Sequence, residues 1–466
     1  MLSIIMKKTS RLLVRVSFIV LFFFVWVRFA SAADATATIS LAWISAWSFI
    51  AIILLPRKSL LPQISLAGWL ILSCILIYGW FQVWNARSGY TPRELSFTKY
   101  PNRLWPDGPG SVTKEASQAK MLEISGLVLA FLALVRARES SIWLWLVAVI
   151  PIFGALTTLA GLFHRVIDAP SVWFVDASHP ATFFAPFIYN SHAGAFLNLS
   201  GILACSFLFS TLGTDRRNTG VFWAVVSLIC FGGVFSSASK GAFMLLPLSL
   251  FALFFCNRSR IMHFIPELMG RNERRSGIER KVTGLALVVL ALTVTVIGSQ
   301  YLTHRLTGSV EEVTETGRLG SLDGRLGMMK VMLNMAGPNE GSWSGFGPGS
   351  YEYIVPYFLA KPELSMPGRW VHGHSDPLQL VVEWGYMGAV LWGVFALGSL
   401  FFGLIQLRTK QVEPSSRPII RGIMLGLIGL VIHSCFDFPF GIIFMQFLAM
   451  MLCACLWSKK AKEVDS

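Results

Sequence analysis

Apolar runs about as long as a bilayer is thick recur along the whole chain, and they decide what it can fold into. Such runs lie near 12–30, 39–55, 64–84, 119–135, 142–163, 192–212, 219–236, 241–256, 282–300, 378–406, 422–436 and 440–457. About twenty residues of helix cross the roughly 30 Å of hydrocarbon. Lipid offers no hydrogen bonds to the backbone, so each run must be a helix. The expectation is an all-α polytopic membrane protein with about twelve transmembrane helices. The 378–406 run is longer than it needs to be and should tilt or protrude. Only 14% of the 466 residues are charged and 54% are hydrophobic, too little charge to cover a soluble protein of this length.

The formal charge of +14 does not point to a nucleic acid, because the basic residues are scattered between the apolar runs. That scatter reads as topology. With the N-terminus in the cytoplasm and twelve alternating spans, the inside segments hold roughly 24 of the 39 Lys and Arg. They include Lys7, Lys8, Arg11 and Arg15, the stretch 257–281, and the tail Lys459, Lys460 and Lys462. Both termini are expected inside. The first run also has the look of a cleavable signal, with basic residues, an apolar core and Ala30-Ser31-Ala32 before Ala33. Cleaved or retained, it delivers the next span from outside. The seven cysteines lie in or beside apolar runs, with no zinc spacing and no disulfide framework, and read as packing residues.

Three outside segments are long: 85–118, 164–190 (with His164, Asp168, Asp176 and His179) and 301–377. Long loops are commonly functional. In the last, Leu326, Met329 and Leu333 give Gly324–Ala336 a helical apolar spacing. Gly345-Phe346-Gly347-Pro348-Gly349 then forces a tight turn before an aromatic helix or strand, Tyr351 to Phe358.

The candidate chemistry faces outward. Trp370-Val371-His372-Gly373-His374-Ser375-Asp376 leads into the tenth span, with Glu383 one turn inside. Upstream stand Arg318, Asp323, Arg325 and Arg369. Ser239-Lys240-Gly241 ends span seven, and His433 to Pro439 ends span eleven. Lys240 is the sole charge between spans seven and eight, on a face where cations are disfavoured. It either snorkels to the headgroups or meets an anion. Arg325 could pair within its own helix, with Asp323. His433 and Asp437, at i and i+4, would share a helix face and could bond each other. Three readings suit His372, His374 and Asp376. They are metal ligands on an extended backbone, a purely structural loop, or acid–base groups, since an imidazole near pKa 6.5 suits proton removal at neutral pH.

Fixed cations beside a histidine at the membrane surface favour an anionic ligand. No Walker-type glycine loop, acidic metal cluster or Ser-His-Asp order is present. With no ATP outside the cytoplasm, the energy for synthesis must arrive in the substrate, and a lipid-linked diphosphate sugar meets each condition. A secondary transporter is the rival class, because intramembrane His433 and Asp437 would suit ion coupling. It would normally show repeated halves, and none is evident.

Taken in order, several strings resemble the O-antigen ligase and polymerase superfamily of bacterial envelope proteins. They are Phe187-Ile188-Tyr189-Asn190-Ser191-His192-Ala193-Gly194, Ser239-Lys240-Gly241-Ala242, Gly324-Arg325, Gly345 to Ser350, His374-Ser375-Asp376-Pro377-Leu378-Gln379 with Glu383 and Gly385, and His433 through Pro439. They cover roughly residues 180–440. The resemblance implies a GT-C-like helical fold in the bacterial inner membrane, with an N-terminal transmembrane region (1–180), a ligase-like core (181–440) holding the large periplasmic loop 301–377, and a last span with a cytoplasmic tail (441–466). It implies a metal-independent inverting glycosyltransferase without a cofactor, working at the periplasmic face. The donor would be an undecaprenyl-diphosphate-linked glycan and the acceptor lipid A-core or a growing glycan. Membrane lipids would be its other partners, and no nucleic acid is implied. His374 would be the catalytic base, and Lys240 and Arg325 would bind the donor diphosphate. Arg318, Arg369, His372, Asp376, Glu383, His433, Asp437, Asn190 and His192 would support them. The chain departs from the family where Lys240 replaces a common Arg and Ser375 a common Asn. Ligase is preferred over polymerase on the single dominant outside loop.

Overall fold

The computed structural model describes residues 2–29, 37–55, 62–91, 94, 96–139, 142–172, 183–212, 217–268, 320–337, 343–366, 368, 370–409 and 412–458. Thirteen α-helices occur among them. The first eight are α1 (Leu2–Phe29), α2 (Ala37–Leu54), α3 (Leu66–Trp84), α4 (Lys114–Glu139), α5 (Trp143–Val166), α6 (Asn190–Thr211), α7 (Arg217–Ser237) and α8 (Lys240–Leu268). The rest are α9 (Gly320–Met335), α10 (Tyr351–Leu359), α11 (Asp376–Arg408), α12 (Arg417–Ser434) and α13 (Ile443–Trp457). Nine are long and apolar enough to cross a membrane, and the apolar helices Leu41–Leu54 and Ile443–Trp457 are shorter. The run at 282–300 lies outside the described residues, as do the Ala30 to Ala33 signal-like motif, Asp176, His179, Arg318, Arg369 and the Lys459, Lys460 and Lys462 tail.

The bundle is organised around α6. Its residues from Ser191 to Phe207 are buried on every side, as expected of a helix that is apolar all round. It packs against α5, α7, α8 and α12. Small residues let those helices come close, as they do in membranes generally. Gly154 of α5 lies on Ser200, Gly422 of α12 on Ser206, and Gly194 on Ser239. An aromatic column of Phe22, Phe153, Phe196, Phe187 and Phe444 fills the middle. The outer helices turn large apolar side chains outward, including Phe251, Leu397 and Phe401. A face of that kind needs lipid as its solvent. Four of the cysteines (Cys205, Cys230, Cys453, Cys455) are buried packing residues, whereas Cys74 and Cys256 are exposed and Cys435 is half-buried.

A second, smaller core forms outside the bundle. Met328, Val331, Met332 and Met335 of α9 pack on Tyr351, Ile354, Val355 and Phe358 of α10 and on Val382. The helix expected over 324–336 is present, but its buried face differs from the expected one. Leu326 and Leu333 are exposed, and the 328/331/332/335 stripe is the core. The aromatic segment after the glycines is a helix. A hairpin, β1 (Ser88–Thr91) with β2 (Ser96–Lys99), adds Tyr90 and Phe97 against Tyr353 and Tyr357 of α10.

The helix that carries the 378–406 run is broken at Gly385, where φ is 67° and ψ 178°. The glycine turn docks into this break. Phe346 N–H donates to the Val382 carbonyl at 3.0 Å and Gly347 N–H to the Glu383 carbonyl at 2.8 Å. The Glu383 side chain accepts from Gly349 N–H at 2.8 Å and from Gln379 at 3.0 Å. The Tyr78 hydroxyl reaches the carbonyls of Ser344 and Trp384. Backbone groups freed by the break are thereby satisfied inside the protein. A side chain at Gly385 would strike the Trp343 carbonyl, so both its φ and its contacts require glycine.

Candidate functional site

Four segments meet at the end of the bundle that carries the small outer core. They are the start of α6, the bend after α12, the turn before α11, and α9 through Arg325. In the turn, His374 takes φ 53°, a left-handed conformation that costs a non-glycine residue about 1–2 kcal/mol. Ser375 then returns to extended backbone as the cap of α11. This kink undoes the even alternation expected of His372, His374 and Asp376. His372 stacks flat on Phe438, with ring centroids 4.5 Å apart. His374 meets the same ring edge-on at 4.7 Å. The Asp376 carboxylate turns away to accept Phe440 N–H at 2.9 Å. The three do not share a ligand face, and among the described residues no group of three His, Cys, Asp or Glu is placed to hold a metal ion.

The helix expected to carry both His433 and Asp437 ends at Ser434. Asp437 lies in the bend beyond it, buried and at the centre of the site. Its Oδ1 is 3.7 Å from His374 Nδ1 and accepts Phe438 N–H at 3.0 Å. Its Oδ2 is 3.8 Å from His433 Nε2 and 3.7 Å from Arg325 Nη2. The Ser191 hydroxyl donates to the same Oδ2 and lies 3.1 Å from His433 Nε2. Burial alone would raise the Asp437 carboxyl. The imidazoles of His374 and His433, helped by His192 and the Arg325 guanidinium, hold it well below the usual carboxylate range. Arg325 therefore pairs across the site. It donates to the Phe436 carbonyl and to the Tyr189 hydroxyl, each at 3.0 Å. The Tyr189 phenol is pushed up by burial and then by the Asp437 carboxylate, with Arg325 opposing.

The remaining candidates divide. His192, buried, fits between Tyr189 at 5.1 Å and Phe438 at 4.6 Å. Asn190 is the first residue of α6 and is half-buried. Lys240 is exposed at the first position of α8, after Ala238 at φ 63°. The next residue, Gly241, is close enough that a Cβ there would stand 3.2 Å from His433 Cε1. Lys240 thus lies at the same end of the bundle as His433 and Asp437. Glu383 belongs to the clamp on the glycine turn. The Asp323 side chain lies outside what the structure describes.

Three neighbours of this site carry no chemical flag in the sequence. Phe438 is the ring against which His192, His372 and His374 all pack. Ser191 joins Asp437 to His433, and Tyr189 anchors Arg325. A lone Ser, Phe or Tyr beside an apolar run is ordinary, and only the motif strings around them mark these positions.

No curated protein matches the chain. Residues 225–393 match the family model described as O-Antigen ligase, a stretch that holds Lys240, Arg325, His374 and the break at Gly385. That match supports the O-antigen ligase and polymerase superfamily that the motifs of the chain resemble.

Proposed function

We propose that this integral membrane protein is a glycosyltransferase that moves a glycan from a polyprenyl diphosphate carrier, undecaprenyl diphosphate, onto an acceptor hydroxyl. The observation that carries the reading is the setting of His374. Its Nδ1 faces the buried Asp437 carboxylate at 3.7 Å, which favours a proton on Nδ1 and leaves Nε2 as the basic atom. In the reaction, Nε2 takes the proton of the acceptor hydroxyl as that oxygen attacks the anomeric carbon from the face opposite the diphosphate. The new C–O bond forms, the bond to the diphosphate oxygen breaks, and its electron pair leaves with the diphosphate. Configuration inverts. Asp437 stabilises the imidazolium that results.

Lys240 and Arg325 meet the developing negative charge on the leaving group. Arg325 already spends part of its fork on Tyr189 and Phe436, so it contributes one edge together with its charge. Lys240, exposed and at the head of α8, contributes a point charge. Tyr189, His192, His372 and Phe438 form the wall that holds His374, and Glu383 with Asp376 fixes the backbone on either side. Supporting roles are assigned to Asn190, Arg318 and Arg369. The core is assigned to 181–440, the N-terminal spans to 1–180, and the last span and tail to 441–466. The membrane is the bacterial inner membrane, with both termini cytoplasmic and the site periplasmic.

The acceptor is lipid A-core if the protein is a ligase and a growing glycan if it is a polymerase. Ligase is the preferred assignment. Mass spectrometry of lipid-linked glycans in a deletion strain tests it. A ligase leaves carrier-linked polymer of normal length. Accumulated single repeat units would overturn the assignment in favour of a polymerase.

A further inference from the structure

Behind the site, a small cavity large enough for a water molecule opens among α6, α8 and α12. Apolar and glycine residues such as Leu199, Leu245, Gly426 and Gly429 line most of it, and the polar residues on its wall are Asn198 and His433. Both are buried, and Asn198 Oδ1 and His433 Nδ1 each lack a hydrogen-bond partner among the described residues.

The hydrogen-bond directions around these two atoms follow from what each partner can do. A carboxylate only accepts, so the single Ser191 proton goes to Asp437. Ser191 Oγ must then accept from His433, which puts the His433 proton on Nε2. In the neutral ring Nδ1 is consequently an acceptor. The Ala242 carbonyl also only accepts, so Asn198 presents its Nδ2 there, at 3.4 Å, and Oδ1 is left toward the cavity. Two buried acceptors on the wall of one cavity call for a donor of two hydrogens, and water supplies both.

We infer that Asn198 and His433 form a water-bridged relay, reaching from the bundle interior to Asp437, that holds this carboxylate in position against His374 Nδ1. The water donates to Asn198 Oδ1 and to His433 Nδ1. His433 Nε2–H donates to Ser191, Ser191 donates to Asp437 Oδ2, and Asp437 Oδ1 faces His374 Nδ1. Each link has one allowed direction, and the relay ends on the carboxylate whose Oδ1, an acceptor only, keeps the His374 proton on Nδ1 and its lone pair on Nε2. The inference rests on the reading of His374 as the base. Asn198 touches neither donor nor acceptor and is a positioning residue.

The test is transfer kinetics on the full-length protein in membranes or nanodiscs. Asn198→Leu keeps the branching at Cγ and removes both the acceptor and the donor to the Ala242 carbonyl. It should lower kcat about tenfold, the effect of one lost hydrogen bond in a buried network, with donor KM unchanged. Asn198→Ser, which restores an acceptor, should recover most of the loss. Wild-type kcat in Asn198→Leu, or no recovery in Asn198→Ser, would overturn the relay. If Asn198→Leu fails to fold, nitrogen NMR of the histidines in the wild-type protein decides. His433 carrying its proton on Nε2 is the expected result, and a proton on Nδ1 alone would overturn it. A His374→Ala variant run alongside separates the two claims. If it is inactive while Asn198→Leu is normal, only the relay fails, and if it is active the base assignment fails.

Discussion

At the scale of single residues, one buried carboxylate organises the site. Asp437 is held ionised by two imidazoles and a guanidinium at 3.7–3.8 Å. Its folded-state pKa lies below that of an unfolded Asp, so its stabilising contribution is fully present above about pH 5. That contribution is lost as pH falls through the lower folded value. The melting temperature should therefore hold from neutral pH to about pH 5 as far as this group is concerned, and decline on further acidification. Asp437→Asn should lower the melting temperature at pH 7 and flatten that acid-side decline. A decline as steep as in the wild type would show that other carboxylates cause it. Lys240 makes a separable contribution. Lys240→Ala should raise donor KM or lower donor use, whereas Lys240→Arg keeps the charge and should be tolerated. Unchanged donor use in Lys240→Ala, measured by titration of carrier-linked glycan, would remove it from the site.

At the scale of elements, the broken α11 and the glycine turn hold the loop that presents His374. Gly385→Ala forces a side chain into left-handed backbone and against the Trp343 carbonyl. It should cost about 1–3 kcal/mol or more, seen as a lower melting temperature and faster proteolysis in 343–375. The outer core gives a sharper contrast. Met332→Asp places a charge in a buried position and should destabilise strongly, while Leu333→Asp on the exposed side of α9 should be near neutral. Equal effects would mean that α9 is turned otherwise. These elements also mark how far the sequence was legible. The spans were readable because a bilayer imposes one length and one conformation. The α9 helix was readable from its spacing, but two apolar stripes compete there, and Leu326, Met329 and Leu333 read as well as the methionines that are buried. Periodicity finds a helix, and only its neighbours decide which face is covered. The His372–Asp376 turn failed for a related reason. Alternation assumes extended backbone, and the positive φ of His374 is set by packing on Phe438, a residue 64 positions away whose role no local pattern reveals.

At the scale of the whole molecule, the bundle brings to one end residues that the chain separates widely. Tyr189, Ser191, Arg325, His374, His433 and Asp437 come from four segments, each at a helix start, a helix end or the outer cap. The family match spans only 225–393, so Ser191, His433 and Asp437 join the site through the fold, from outside the matched stretch. The claim that everything else depends on is that His374 removes the acceptor proton. The most direct measurement is transfer of glycan from purified undecaprenyl-diphosphate-linked donor to acceptor by the reconstituted protein. His374→Ala should be folded, retain donor binding, and turn over about 10²–10⁴-fold more slowly than wild type. Wild-type turnover in that variant would contradict the account.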